Sequence, residues 1–211
     1  MKGLLISFEG TDGCGKSTQI RLLSEYLTAQ GREVVVSREP GGSNIGEKIR
    51  EILLSKENDG MANMCELFLY EAARAQHMEE TVLPALNAGK IVILDRFIDS
   101  TFAYQGVGRD LGEDTVESLN RAAIGGRYPD LTLLLSLPPE KAFKRKGGND
   151  ESDRIEMAGD AFFARVQQGF DRAAERHPER IECINVTGTK EETHKLICDR
   201  IDRLMEETYG G

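Results

Sequence analysis

Five short apolar runs, at 4–8, 34–37, 91–94, 131–137 and 181–186, punctuate the chain and read as β-strands. Between them apolar residues recur at helical spacing. Ile20, Leu23 and Leu27 share one face after the first run, and Gly31 closes that segment. The stretch from 63 to about 86 is long and helix-favouring, with Pro84 placed to kink or restart it and Gly89 to end it. The last helix opens on Thr189-Lys190-Glu191-Glu192, a capping-box pattern, and sets Ile197, Ile201 and Leu204 on one side. Strand and helix in alternation predict an α/β fold of three layers, a five-stranded parallel sheet with helices on both faces. Such sheets bind ligands outside the carboxyl ends of their strands, so the loops after the five runs are where chemistry is expected.

The loop after the first run carries the strongest signal. Gly10-Thr11-Asp12-Gly13-Cys14-Gly15-Lys16-Ser17 fits G-x-x-x-x-G-K-[ST], between the apolar run Leu4-Leu5-Ile6-Ser7-Phe8 and a helix. Glycines let backbone N–H groups converge on phosphate oxygens, and the helix beginning near Gly15 adds its positive end. Lys16 is placed to reach the β- and γ-phosphates and Ser17 to ligate Mg²⁺. Gly10, Thr11, Asp12, Gly13, Cys14, Gly15, Lys16, Ser17 and Thr18 are therefore the candidate ATP site. The third run ends Ile91-Val92-Ile93-Leu94-Asp95-Arg96, which offers Asp95 as a second Mg²⁺ ligand and Arg96 as a phosphate clamp. The second ends Arg38-Glu39-Pro40-Gly41-Gly42. Either Arg38 meets a second phosphate there, or the segment is an ordinary surface turn with a salt bridge. Tyr70 and Arg74 lie four apart; on spacing alone they read as an amphipathic surface pair rather than a holder for a nucleobase.

Bulk properties narrow the picture. With 211 residues, 39% hydrophobic, and no Pro/Ser-rich linker or internal repeat, one domain over 1–211 is expected. The net charge of -9 argues against a nonspecific hold on nucleic acid, while Lys144-Arg145-Lys146 and arginines 38, 74, 96, 109 and 154 supply cations for a small anionic ligand. The first apolar run is too short for a signal peptide and no stretch approaches a membrane span, so a soluble, cytoplasmic protein without a membrane partner is expected. Cys14, Cys65, Cys183 and Cys198 lie too far apart for a zinc or disulfide framework, and Cys14 reads as a small residue that fits its loop. His77, His177 and His194 stand in polar sequence without metal-ligand spacing and are expected on the solvated surface.

Five segments taken together resemble the thymidylate kinase family, in its order and over nearly the whole chain. They are Phe8-Glu9-Gly10-Thr11-Asp12-Gly13-Cys14-Gly15-Lys16-Ser17-Thr18, Arg38-Glu39-Pro40-Gly41-Gly42, Asp95-Arg96-Phe97, Ser100-Thr101-Phe102-Ala103-Tyr104-Gln105-Gly106 and Pro129-Asp130-Leu131-Thr132. The resemblance implies a P-loop kinase that moves the γ-phosphoryl of ATP, with Mg²⁺, to dTMP. It implies a five-stranded parallel sheet, a short lid at about 144–156 and a homodimer, for which the 63–86 helix is the candidate interface. By the same resemblance Asp12 accepts a hydrogen bond from the sugar 3′-hydroxyl, and Arg38 and Arg96 hold the acceptor phosphate. Tyr70, where the family usually has phenylalanine, stacks on thymine, and Arg74 contacts a thymine carbonyl, which reverses the surface-pair reading. Ser100, Thr101, Tyr104 and Gln105 line the base edge and deoxyribose, with Tyr104 excluding a ribose hydroxyl. The phosphate loop has no arginine at 13 or 14, so the family's catalytic arginine falls in the lid: Arg154, in Asp-Arg-Ile-Glu, first and Arg145 second, beside Lys16 and Arg96. The adenine is expected near the loop at 187–189. A kinase for another nucleoside monophosphate, or an NTP-hydrolysing switch, would share the glycine loop without this set.

Overall fold

The computed structural model describes residues 2–137 and 153–210. Strands β1 (Leu4–Glu9), β2 (Val34–Arg38), β3 (Ile91–Asp95), β4 (Leu131–Ser136) and β5 (Ile181–Asn185) form one sheet in the order β2-β3-β1-β4-β5. Every neighbouring pair is parallel; Ile6 of β1 stands opposite Ile93 on one side and Leu131 on the other. β1 is central and buried at all six positions, which is why it does not alternate regularly and why its two polar residues, Ser7 and Glu9, are both hydrogen-bonded.

Helices α1 (Lys16–Ala29), α2 (Asn44–Leu54), α3 (Asn63–His77), α4 (Leu83–Asn87), α5 (Ile98–Thr101), α6 (Glu113–Ala123), α7 (Asp160–Arg176) and α8 (Lys190–Tyr209) cover the sheet. Because strand side chains alternate, the two faces gather different cores. Leu4, Ile6 and Phe8 pack with Ile20, Leu23 and Leu27 of α1 and Ile197, Ile201 and Leu204 of α8. Leu5, Val92 and Leu94 face the other way, onto Met78, Val82 and Leu86. Farther along that face Leu134 and Ile181 meet Phe162, Val166 and Phe170 of α7. The three-layer α/β fold with five parallel strands is thus as the periodicity predicts. The capping box at Thr189 also forms, with Thr189 Oγ1 accepting from Glu192 N–H and Glu192 returning the bond.

Pro84 shapes the long segment without breaking it. Its missing N–H and its ring conflict with a regular turn, and the chain widens into a π-helical turn at Met78–Val82 before α4 resumes. A second π-helical stretch, Phe102–Gly108, follows α5 and packs against α7.

The expectation of a solvated His77 is corrected. It is fully buried at the end of α3, with Nε2 2.8 Å from Ser37 Oγ and Nδ1 3.0 Å from Glu39 Oε1. Partners on β2 and the following turn satisfy both nitrogens, which removes the cost of burying the ring. His177 and His194 are only half-buried. Among the described residues no helix is long and apolar enough to cross a membrane.

Candidate active site

β1 lies between β3 and β4, so the direction of strand order reverses at its carboxyl end and a crevice opens there. A cavity of about 470 Å³ occupies it. The glycine loop forms one wall. Gly10 has φ 129°, and a Cβ there would stand 2.5 Å from the Leu135 carbonyl oxygen, so only glycine lets the loop leave the sheet this closely. Gly15, at φ 100°, is the N-cap of α1. It supplies no side-chain cap, and no acidic residue stands in the first turn. The helix N-terminus therefore keeps its N–H groups and positive dipole end for an anion. Lys16 Nζ donates to the carbonyls of Gly10 at 2.9 Å and Thr11 at 3.2 Å. Burial pushes this ammonium below its ordinary pKa, and the nearby Arg96 adds to the effect. Cys14 is buried in the core behind the loop, as a small residue that fits.

Beside Lys16, Ser17 Oγ donates to Asp95 Oδ2 at 3.3 Å. A hydroxyl and a carboxylate side by side next to the phosphate wall suit Mg²⁺, which commonly takes one or two protein oxygens and fills its shell with water and phosphate. Among the described residues no cluster of three or more His, Cys, Asp or Glu side chains could hold an ion by itself.

Arg96 dominates the opposite wall. Its φ of 68° is left-handed, an uncommon conformation for a residue with a side chain. Its Nη2 donates to Asp12 Oδ1 at 2.7 Å and its Nη1 to Ser100 Oγ at 3.1 Å, while the guanidinium lies 5.2 Å from the Tyr104 ring centroid. Asp12 Oδ1 is also 3.9 Å from Lys16 Nζ, so one carboxylate oxygen stands between the cations of the two walls. Arg38, at the exposed rim, pairs with Glu47 at 2.9 Å. The Tyr104 hydroxyl is buried with no well-formed hydrogen bond among the described residues, and burial pushes it up to about 12.

Arg74 is no surface residue. It is 1% exposed and all five of its N–H groups are committed. Nε donates to Glu39 at 2.8 Å, Nη1 to Glu71 at 2.8 Å and Asn120 at 2.7 Å, and Nη2 to the Phe97 carbonyl at 3.1 Å and Thr101 at 2.8 Å. Burial alone would lower its pKa; Glu39 and Glu71 more than reverse that and hold it above the ordinary value. Tyr70, one turn earlier, lines the same cavity, as do Ser100, Thr101 and Gln105.

Arg154 is described and Arg145 lies outside the described residues. Arg154 is buried but is not among the residues lining the cavity, although Asp153, Ile155 and Glu156 are. Its Nε donates to the Leu53 carbonyl at 2.8 Å. Its Nη2 lies 2.7 Å from Glu66 Oε2, bent away from a straight hydrogen bond. Glu66 also accepts from Gln105 at 2.8 Å and twice from Arg109 at 3.1 Å. Burial would raise this carboxyl, but those hydrogen bonds outweigh it and hold the group below its usual range. Gly10, Thr11 and Cys14 are not among the residues that line the cavity.

Sequence reasoning missed three residues of the site. Arg50 of α2 lines the cavity and bonds the Pro40 carbonyl at 2.8 Å; its place on the inner face of an amphipathic helix is the only signal it gave. Glu39 sits inside a motif already noted, yet nothing marked it as the partner of Arg74 and His77. Glu9, beside the loop, is fully buried and bonds Phe97 and Ser100.

A glycine loop and bare helix N-terminus facing a guanidinium wall across one crevice define a P-loop phosphotransferase with room for two anionic ligands. Comparison with known proteins narrows the class. The thymidylate kinase family profile matches residues 8–197. A thymidylate kinase of Thermoanaerobacter sp. (strain X514) is 44% identical over 97% of this chain and 100% of its own length. One from Bacillus velezensis is 46% identical over 90% and 91%. The crystal structure of a thymidylate kinase from Ehrlichia chaffeensis superimposes with a TM-score of 0.78 at 33% identity, covering 96% of this chain and 99% of that one. The chain belongs to the thymidylate kinase family.

Proposed function

We propose that the cavity holds ATP and dTMP end to end, the donor phosphates on the 10–18 loop and the acceptor phosphate on Arg96 and Arg38. The activity of the chain is phosphorylation of dTMP by ATP, giving dTDP and ADP. One observation carries the assignment of walls. Asp12 bridges Lys16 and Arg96, so the donor-side and acceptor-side cations are one carboxylate apart. Phosphoryl transfer must bring two phosphate groups together at such a point. Unit charges 4 Å apart repel by roughly 1 kcal/mol in water and about 4 at an effective dielectric of 20. Cations on both walls offset this, and positioning supplies most of the remaining catalysis.

In this reading the acceptor phosphate displaces Asp12 from Arg96, and Asp12 turns to the sugar 3′-hydroxyl. Lys16 exchanges the loop carbonyls for the β- and γ-phosphate oxygens. Ser17 and Asp95 would hold Mg²⁺, which when bound neutralises phosphate charge and orients the chain of phosphates. The Tyr70 ring stacks on thymine and Tyr104 stands against the 2′ carbon. Arg74 reaches the base carbonyl by sharing an N–H already bonded to Thr101 or Phe97. Ser100 and Gln105 complete the base and sugar wall. Arg154 remains first candidate for the arginine on the transferred phosphoryl, ahead of Arg145. The role requires it to leave Glu66, whose bonds to Gln105 and Arg109 persist without it. We take 1–211 as one domain with a lid at about 144–156, working as a cytoplasmic homodimer. The exposed Ile45 and Ile52 of α2 and Met64 and Phe68 of α3 support those helices as its contact face.

The test is ADP formation under Mg·ATP with dTMP, dUMP, dGMP and AMP in turn. dTMP should be turned over most efficiently. Equal phosphate release with no acceptor would instead favour an NTP-hydrolysing switch.

A further inference from the structure

Glu9, the last residue of β1, is fully buried just before the glycine loop and is not among the residues lining the cavity. A buried carboxylate needs partners for both oxygens. Here Oε1 accepts the Phe97 N–H at 2.8 Å and Oε2 accepts the Ser100 hydroxyl at 2.5 Å. Both partners belong to the surroundings of Arg96. Phe97 follows it directly, and Arg96 holds a left-handed backbone that its surroundings must maintain. Ser100, with its proton given to Glu9, keeps a lone pair for Arg96 Nη1 at 3.1 Å. One carboxylate thus fixes the guanidinium through Ser100 and the backbone through residue 97.

We propose that Glu9 is a positioning residue for phosphoryl transfer, holding Arg96 in the geometry that aims it at the acceptor phosphate without touching either nucleotide. The inference rests on the reading of Arg96 as the acceptor clamp. Ionised, Glu9 accepts both bonds. Protonated, one oxygen becomes a donor and competes with the Ser100 proton for the same line. The charged and titratable groups facing it are Asp99, Arg96, Tyr104 and Arg180, the last held by Asp99 at 2.7 and 2.8 Å. Burial first, and then Asp99, raise the Glu9 carboxyl to about 7.

Glu9→Gln keeps the shape and removes the charge. Its kcat and KM for dTMP, between about pH 6 and pH 9, are compared with wild type and with Arg96→Ala, alongside thermal melts. Three results are expected together. The Gln variant loses on the order of 10- to 100-fold in kcat. Its Tm at alkaline pH equals or exceeds that of wild type, because a buried charge has gone. The acid limb near neutrality in the wild-type kcat profile disappears; dTMP itself titrates near pH 6, so the difference between the two proteins isolates Glu9. A kcat within about threefold of wild type with the same acid limb overturns the proposal. So does a kcat loss matched by a fall in Tm, which is what a merely structural residue would give. If Arg96→Ala retains kcat, the clamp reading itself fails; if Arg96→Ala is impaired and Glu9→Gln is not, the clamp stands and the positioning role falls. Should Glu9→Gln not fold, Ser100→Ala, which leaves the carboxylate and its bond to Phe97 intact, takes its place. A roughly tenfold drop in kcat with the KM for dTMP unchanged supports the relay; an unchanged kcat, or a rise in KM alone from the lost substrate contact of Ser100, overturns it.

Discussion

Replacing Arg74 by methionine keeps much of the volume of the side chain and removes a guanidinium with five bonded N–H groups. The cost falls on what is left behind. Glu39 retains His77 at 3.0 Å, but Glu71 loses its partner at 2.8 Å, and its other oxygen already has no hydrogen-bond partner among the described residues. Asn120 and Thr101 each lose a donor as well. Removing one member of a buried ion pair costs about 3–5 kcal/mol. That is a large share of the roughly 5–15 kcal/mol by which a domain is stable. At this chain length about 2–4 °C of Tm accompanies each kcal/mol, so Arg74→Met should melt roughly 6–20 °C below wild type. Burial already pushes the Glu71 carboxyl up, so in the variant it takes a proton, and the deficit narrows as pH is lowered. Circular-dichroism melts and urea titrations at two pH values measure both effects. Arg74→Lys keeps the charge with three donors against five acceptors and should fall between. An Arg74→Met protein melting within about 2 °C of wild type, with unchanged urea m-value, would refute the reasoning that this network holds α3, α5 and α6 against the turn after β2.

Asp95→Asn should raise the Mg²⁺ concentration needed for half-maximal activity while leaving the protein folded; an unaltered metal titration would count against the Ser17–Asp95 pair as ligands. Arg154→Ala should lower kcat on the order of 10³- to 10⁵-fold while changing dTMP binding far less, and an unchanged kcat would transfer the role to Arg145. Glu9 also makes stability depend on pH. Its folded pKa of about 7 lies above the ordinary 4.5, so between those values the folded state binds more protons than the unfolded one. Wild type should therefore lose stability relative to Glu9→Gln as pH rises through that window, and a gap in Tm that stays flat with pH would contradict the burial argument.

The parts of the site that lie close together in sequence were legible there. The glycine loop, Lys16 and Ser17 form one local unit whose spacing is dictated by phosphate geometry, and Asp95-Arg96 ends a strand whose apolar run is unmistakable. Long-range partners were not legible. His77 stands in Ala-Gln-His-Met-Glu-Glu, a solvated pattern by every local measure, and is buried because Ser37 and Glu39, some forty residues earlier, take both nitrogens. Arg74 has the spacing of a surface pair with Tyr70. Its acceptors come from the turn after β2, α3, α5 and α6, which meet only when the sheet has formed. Arg50 shows the same limit: amphipathicity identifies α2 but not which of its cations faces the cavity. The resemblance to a family set aside the surface-pair reading of Arg74, as its burial does, though it did not foresee that all five donors would be engaged by the protein.

In the proposed complex the donor and acceptor phosphates meet between the 10–18 loop and Arg96. A crystal structure with dTMP, Mg²⁺ and a non-transferable ATP analogue measures this directly. The expected result is γ-phosphate oxygens on Lys16, the metal on Ser17 and Asp95, and the dTMP phosphate hydrogen-bonded to Arg96 with Asp12 released from it. A dTMP phosphate seated away from Arg96, with the Asp12–Arg96 bond intact, would contradict it.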